Sequence, residues 1–316
     1  MICDIVNMKY TLQQYLQSHI ADRRYSDEPA HLPGMKIYQN KFGWKDYLLG
    51  NNLIYSHRET TYDMSVFPER LHSHPFFEMD IYISGMISYI SDNQEIIPVR
   101  GSVLLFPPQV MHTAHLSEKS KYERYVFYFT PQFFYAFGAD LLPLLSKMKT
   151  ACLEILPEAQ GMFYYYLNKI QYISETRTDE TVLAMNACIL QFFVLLSEKG
   201  RQNSKSVYHL PQNIVQIKSY IDDNLQTIST VGEISAHFHY SREYLSRLFR
   251  QYYNINISEY ITRQKISAAK KALESGSRVT EAFQLSGYHT MSSFISAFKK
   301  FVNMTPSEYR KRISDT

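Results

Sequence analysis

Two short stretches, SREYLSRLFR at 241–250 and its weaker echo TMSSFISAFKK at 290–300, leave few folds open for the end of this chain. In each, two large apolar side chains stand four residues apart, Leu245 with Phe249 and Phe294 with Phe298. Each pair therefore stacks on one face of a helix. Helices this short persist only when that face is packed against neighbours, which predicts a bundle of small helices. Opposite the first apolar pair lie Arg242, Ser246, Arg247 and Arg250, a cationic and polar face able to meet phosphates and base edges.

The flanking residues extend the plan. Ile214, Ile217 and Ile221 mark a first helix, 231–238 a second, and Ser241 caps the third. A longer helix at 257–275 turns Ile266, Ala269 and Leu273 inward. Helices at 279–286 and 290–301 follow, and Pro306 opens a last one ending near Arg312. Glu233 matches Glu281 at an offset of 48, while the two apolar pairs match at 49, because the second turn, with Gly287 and Tyr288, is one residue longer. Each copy is helix, tight turn, helix, giving helix-turn-helix units at about 230–251 and 279–302. Charge follows the same division. Residues 1–211 carry a net −2 and residues 212–316 a net +5, within a total of +3. A basic patch of this kind points to a nucleic-acid partner.

The first two-thirds of the chain read differently. Residues 1–34 are taken as an N-terminal arm, with a short helix at 10–20 and a loop at 27–34. From 35 to about 130 come short apolar alternations such as MDIYISGMISYIS at 79–91, SVLLFPP at 102–108 and YERYVFYFT at 122–130, with SDNQ at 91–94 as a hairpin turn. Strands of this length and spacing predict an all-β sandwich or barrel. The aromatic content of 15% suits such a core. Tyr62, Phe67, Phe76, Phe77, Tyr82 and Tyr89 are core by default, with some rings free to stack on a ligand. Helical periodicity returns at 133–148, 157–174 and 180–199. GRQNSKS at 200–206 is a polar breaker suited to an interdomain linker, which puts the boundary near 205.

Several classes are disfavoured. Cys3, Cys152 and Cys188 are odd in number and far apart, so a reducing, cytoplasmic setting is expected. Apolar runs such as 189–196 are too short to span a bilayer, and no export signal opens the chain.

The C-terminal residues carry a specific likeness. YLSRLFRQYYNINISEYITRQKISAAKKAL followed by GYHTMSSFISAFKKFVNMTPSEYR resembles the signature of AraC/XylS-type bacterial transcription regulators, over about 212–312. Gly287, Tyr288, Phe294, Phe298, Lys299, Lys300, Thr305, Pro306, Tyr309 and Arg310 occupy the family's positions. The departures are Asn254 and Asn303 in place of glycine, Phe283 in place of a small residue at a helix–helix contact, and Ser296 in place of arginine. Upstream, His72-x-His74-x3-Glu78-x6-Gly85 and Gly101-x5-Pro107-x4-His112 resemble the two motifs of cupin barrels, with Gln109 in place of a glycine and Leu116 in place of an asparagine.

The resemblance implies an α+β chain: a cupin-like sensing barrel at 35–130, a helical dimerisation and linker region at 131–205, and an all-α DNA-binding domain of seven helices at 206–316. Direct DNA contacts are then expected from Arg242, Glu243, Ser246, Arg247 and Arg250 in the first copy. In the second they come from Met291, Ser292, Ser293, Ile295, Ser296, Lys299 and Lys300. His72, His74, Glu78 and His112 are the ligands in metal-binding cupins. The regulators keep similar histidines without a required metal, so a polar wall for a small effector, possibly a carbohydrate, or a satisfied structural cluster is preferred to a metal or cofactor. The implied partners are promoter DNA, a small molecule, a second copy of the chain and, for an activator, RNA polymerase; no membrane is expected. The chain is read as a regulator and not an enzyme. The alternative is a metal-dependent cupin isomerase or dioxygenase with a DNA-binding appendage.

Overall fold

The computed structural model describes residues 12, 25–32, 34–40, 43–61, 71–91, 94–116, 121–138, 151–176, 178, 180–202, 207–253, 255–302 and 304–314. Outside them lie Cys3, the expected helix at 10–20 except for Leu12, Tyr62, Phe67, the centre of the 91–94 turn, most of the 133–148 stretch, residues 203–206 of the linker, Asn254 and Asn303.

The N-terminal part is two antiparallel sheets face to face. The strands are β1 (Tyr25–Leu32), β2 (Met35–Asn40), β3 (Lys45–Leu49), β4 (Leu53–Thr61), β5 (Phe77–Ser84), β6 (Ile87–Ser91), β7 (Gln94–Ile96), β8 (Val103–Phe106), β9 (His112–Leu116), β10 (Lys121–Phe129), β11 (Ala151–Ile155), β12 (Gly200–Gln202) and β13 (Val207–His209). Nine of them form a sheet in the order β1-β2-β3-β4-β10-β5-β8-β11-β12, and the other four form β13-β7-β6-β9.

Strand period decides which side chain faces which layer. Along β5, Phe77, Met79 and Ile81 pack under the helices, and Tyr82 faces the small sheet beside Ile87, Tyr89 and Ala114. The same alternation on β10 sends Tyr125, Phe127 and Phe129 to the helices and Tyr122 inward. The covering helices are α1 (Pro131–Tyr135), α2 (Gln160–Thr176) and α3 (Thr181–Lys199). Phe163, Leu167 and Ile170 of α2 and Met185, Ile189, Phe192, Phe193 and Leu196 of α3 complete that core.

The structure corrects the sequence reading at its margins. The arm contains β1, the helical region at 131–205 contributes β11 and β12, and β13 lies at the start of the stretch assigned to the all-α domain, so strands flank the linker on both sides. β1, β12 and β13 are all edge strands. An edge needs neither apolar alternation nor a full set of amide donors, which is why polar YSDEPAHL, with its proline, escapes pattern reading. Continuous helix from 181 to 199 also makes α3 long and apolar enough to cross a membrane by length and composition, contrary to the reading of its apolar run as too short. Its buried side chains place it as a core helix of the barrel layer. Cys152 and Cys188 are free and buried.

The C-terminal part is α4 (Gln212–Asp223), α5 (Val231–Phe238), α6 (Arg242–Tyr253), α7 (Ile257–Glu274), α8 (Val279–Leu285), α9 (Met291–Val302) and α10 (Pro306–Ser314). They build two small cores. Leu245 and Phe249 enter the first with Ile214, Ile217, Ile221 and Ile234. Phe294 and Phe298 enter the second with Ala282, Tyr309 and Ile313. Helix α7 serves both, giving Ile257 and Tyr260 to one and Ile266, Ala269 and Leu273 to the other.

The two parts are in contact. Leu71 and Ile90 of the barrel are members of the first helical core, and Met111 packs against it. The His115 Nε2–H donates to the Tyr252 carbonyl at 2.7 Å, and the Leu71 amide donates to the Tyr253 carbonyl at 3.4 Å, both in the last turn of α6. The Gln109 amide side chain donates to Glu274 at the end of α7, at 3.3 Å.

Candidate functional site

Helices α6 and α9 are the second helices of the two helix-turn-helix units. The Ser241 hydroxyl accepts the Tyr244 amide at 3.1 Å, and the Thr290 hydroxyl accepts the Ser293 amide at 3.2 Å, so each helix starts on a capping oxygen. Glu233 and Glu281, the matched acidic pair, accept backbone amides of Ser229 and Arg278 at the mouths of α5 and α8. Their recurrence is therefore a capping requirement.

Arg242, Glu243, Arg247 and Arg250 are exposed on α6, with Ser246 half-buried among them. The Arg247 guanidinium lies 5.6 Å from the centre of the Tyr244 ring, while Arg242 rests against Gly232 of the preceding helix. On α9, Ser292, Ser293, Ile295, Ser296, Lys299 and Lys300 are exposed. Met291 is half-buried and packs on the second core, so it faces inward more than expected. The Thr290 hydroxyl donates to Ser293 at 2.8 Å, which ties that serine to the cap. The small residue at the α8 contact is Ala282, fully buried. Phe283, the departure from a small residue, sits to its side and packs on the second core, its ring 5.8 Å from that of Phe294.

Lys265 adds to the positive balance of residues 212–316, yet it is buried in the middle of α7. Its Nζ donates to the Ile228 carbonyl at 2.8 Å and the Gly287 carbonyl at 2.7 Å. It joins the entry to the first unit to the turn of the second. Burial lowers its pKa.

A second cluster lies inside the barrel. His74, Glu78 and His112 are buried and His72 is half-buried. An isolated antiparallel bridge pairs His72 with His112. Nε2 of His74 lies 2.8 Å, and Nε2 of His112 3.0 Å, from the same oxygen, Glu78 Oε2. Burial raises the Glu78 pKa, but the hydrogen bonds from His112 and His74 and their charge hold it well below the usual carboxylate range. Burial lowers the His74 pKa and Glu78 offsets this only in part. Burial acts the same way on His112, where the hydrogen bond and charge of Glu78 outweigh it and leave the pKa raised. The structure thus brings all four sequence-chosen residues together.

A model described as "Helix-turn-helix domain" matches residues 234–312, and one described as "AraC-like ligand binding domain" matches residues 55–149. The HTH-type transcriptional activator AarP of Providencia stuartii is 31% identical over 104 residues, covering 33% of this chain and 76% of that protein. The chain belongs to the AraC family of transcription regulators. Among its AraC-family relatives, the melibiose operon regulatory protein of Escherichia coli K12 is 21% identical over 253 residues, 76% of this chain and 83% of that protein. The raffinose operon transcriptional regulatory protein RafR of Pediococcus pentosaceus is 31% identical over 96 residues, 30% of this chain and 35% of that protein.

As an AraC-family regulator the chain is a DNA-binding protein with a ligand-binding domain, and its relatives are transcription regulators. The family's terminal Thr-Pro-x-x-Tyr-Arg run also has a physical reading here. Thr305 and Glu308 cap α10 reciprocally, with the Thr305 amide donating to Glu308 at 2.7 Å. The Tyr309 hydroxyl donates to Glu274, the carboxylate that also takes Gln109 of the barrel.

Proposed function

We propose that the protein binds promoter DNA as a homodimer in the cytoplasm, and that a small molecule of the carbohydrate class, held between the two sheets, changes how the DNA-binding half is carried. The observation that carries this reading is the docking of the last turn of α6 on the small sheet. An effector that favours one placement of that sheet favours one placement of the first helix-turn-helix, provided it binds the two arrangements with different affinity. The carbohydrate class is supported by relatives named for the melibiose and raffinose operons. It is also supported by an inward wall of the kind that suits hydroxyl-rich ligands. There Arg58 lies 3.3 Å from Asp46 and 3.4 Å from the Tyr128 hydroxyl, under the Trp44 ring. The exposed Met162 and Tyr165 of α2, with Leu183 and Val194 of α3, offer an apolar face to a second copy. Contact with RNA polymerase goes with activation. The regulator kinship of its relatives supports a non-enzyme.

The test is fluorescence anisotropy on a direct-repeat operator, with a panel of di- and trisaccharides. A saccharide-dependent shift in apparent Kd is expected; affinity that ignores every sugar tested counts against the effector assignment.

We place most polar base readout on α6, because its outward side chains are long and cationic where those of α9 are mainly hydroxyls. Arg247→Gln is expected to weaken cognate binding by roughly 10–100-fold, the worth of a bidentate base contact, and to relax discrimination against a scrambled site. Ser296→Ala should change affinity by less than about threefold. A larger loss of discrimination from Ser296→Ala reverses the ranking.

A further inference from the structure

We propose that Lys265, with the Ser229–His289 pair beside it, locks the two reading helices α6 and α9 in one relative placement and so sets the spacing between the two DNA elements that the protein accepts. Lys265 is then a positioning residue for specificity, although it is too deeply buried to meet DNA itself. The role rests on the reading that α6 and α9 both enter the major groove. The first unit joins α7 at its start, before Ile257, and the second joins it at its end, after Glu274. Among the described residues, α7 is the one helix that gives side chains to both cores. Units that share a single helix can still slide and rotate about it. A contact away from the helix axis removes that freedom.

That contact is made by the loop between α4 and α5 and the turn between α8 and α9. The backbone of Gly287 lies against that of Leu225 and Gln226, too close to admit a Cβ. Lys265 closes the same contact from inside. It is 6% exposed, and its ammonium has three protons to place. One goes to the Ile228 carbonyl at 2.8 Å, in the loop of the first unit, and one to the Gly287 carbonyl at 2.7 Å, in the turn of the second. The Tyr288 ring lies beside the same cation, its centre 5.5 Å away. Hydrogen bonds from a cation are the strong kind, and two carbonyl oxygens turned toward one buried point repel each other without it. An oxygen from each unit is therefore held on one charge. Outside, Ser229 Oγ lies 2.6 Å from His289 Nε2, and both residues are exposed.

Both ties lie at the roots of the reading helices. Thr290, whose hydroxyl caps α9, follows His289 directly. On the other side, Arg242 in the first turn of α6 rests against Gly232, just past Ser229. A slip between loop and turn therefore carries one reading helix relative to the other. On DNA, one base pair more or less between the elements turns one of them by about 35° and moves it by about 3.4 Å relative to the other. A locked pair of helices cannot follow that change. With the ties removed the two units can follow it through α7, so tolerance of altered spacing is the signature of losing the lock. A loss of overall stability leaves no such signature, because it weakens binding to every duplex alike.

The experiment uses the full chain and a duplex library with a random central stretch, from which the wild type is expected to select a two-part motif of one preferred spacing. Anisotropy titrations then compare the selected duplex, the same duplex with one base pair added or removed between the parts, and a duplex that keeps one part. The wild type should lose about tenfold or more in affinity on the shifted spacings. Lys265→Met, of similar length but without donors, should lose less than about threefold on them, with affinity for the single part within about twofold of wild type. Ser229→Ala, at an exposed position, should show an intermediate penalty, and it decides the matter if Lys265→Met does not fold. A full spacing penalty in the deciding variant overturns the proposal, and so does an equal loss on every duplex, the single part included. A wild type that selects two parts but is indifferent to their spacing overturns the lock and leaves the two-helix reading intact. Selection of one short uninterrupted element overturns that reading, and the positioning role with it.

Discussion

Replacing Gly287 with alanine is expected to destabilise the DNA-binding half by about 2–5 kcal/mol and to cost most of the affinity for a two-site operator. Gly287 occupies the turn of the second unit with φ 67°, where an L side chain pays a steric penalty. A Cβ there would also lie 2.6 Å from Gln226 Cα and 2.8 Å from the Leu225 carbonyl oxygen. Both are backbone atoms of the loop between α4 and α5, so no side chain can swing away. Gly287 is thus where the turn of the second unit touches the entrance of the first, and its carbonyl is one of the two that Lys265 joins. Forcing that contact apart would alter the placement of α9 relative to α6, which is what reading two adjacent groove segments requires. Gly276→Ala is the control. It has φ 95° and open space around its Cβ, so it carries the conformational penalty alone. Denaturant midpoints and operator anisotropy on both variants check the argument, and an equal loss from the two would remove the role given to the close approach.

The comparison of sequence with structure shows which kinds of information a chain displays locally. Leu245, Phe249, Phe294 and Phe298 were legible because helical period is a local property, and all four are fully buried. The four cluster residues were legible because the two motifs that carry them resemble those of cupin barrels. Lys265 was not, since its role depends on carbonyls of Ile228 and Gly287 that are distant in sequence, and a lysine that bridges them looks like any surface lysine. Edge strands β1, β12 and β13 were missed for a related reason. β12 and β13 pair with strands distant in sequence, and all three, β1 beside its neighbour β2 included, are free of the alternation a central strand must show. Gln109 was noticed only as a departure from glycine. Its left-handed backbone and its reach to Glu274 give that departure a structural use.

The second large effect is expected in the barrel, from Arg124→Met. Arg124 and Asp80 are 3% and 0% exposed, with Nη1 2.8 Å from Oδ2, on neighbouring strands β10 and β5 and on the face turned toward the small sheet. The same guanidinium donates to the Tyr122 hydroxyl at 3.0 Å, and the Tyr89 hydroxyl donates to Asp80 at 3.0 Å. Removing the cation leaves a carboxylate in a low-dielectric layer without its guanidinium, at a cost of about 3–5 kcal/mol. At roughly 2–4 °C per kcal/mol for a unit of this size, the barrel transition should fall by about 6–20 °C. The informative partner is the double variant Asp80→Leu with Arg124→Met, which removes both charges and lets Tyr89 and Tyr122 keep the hydrogen bond they already share. Desolvation of two ions is then avoided as well as their attraction lost, so the double variant should recover most of the stability lost by the single one. A double variant no more stable than Arg124→Met would mean that the pair contributes through shape and hydrogen bonding in its layer, and the electrostatic account of the single variant would fail with it.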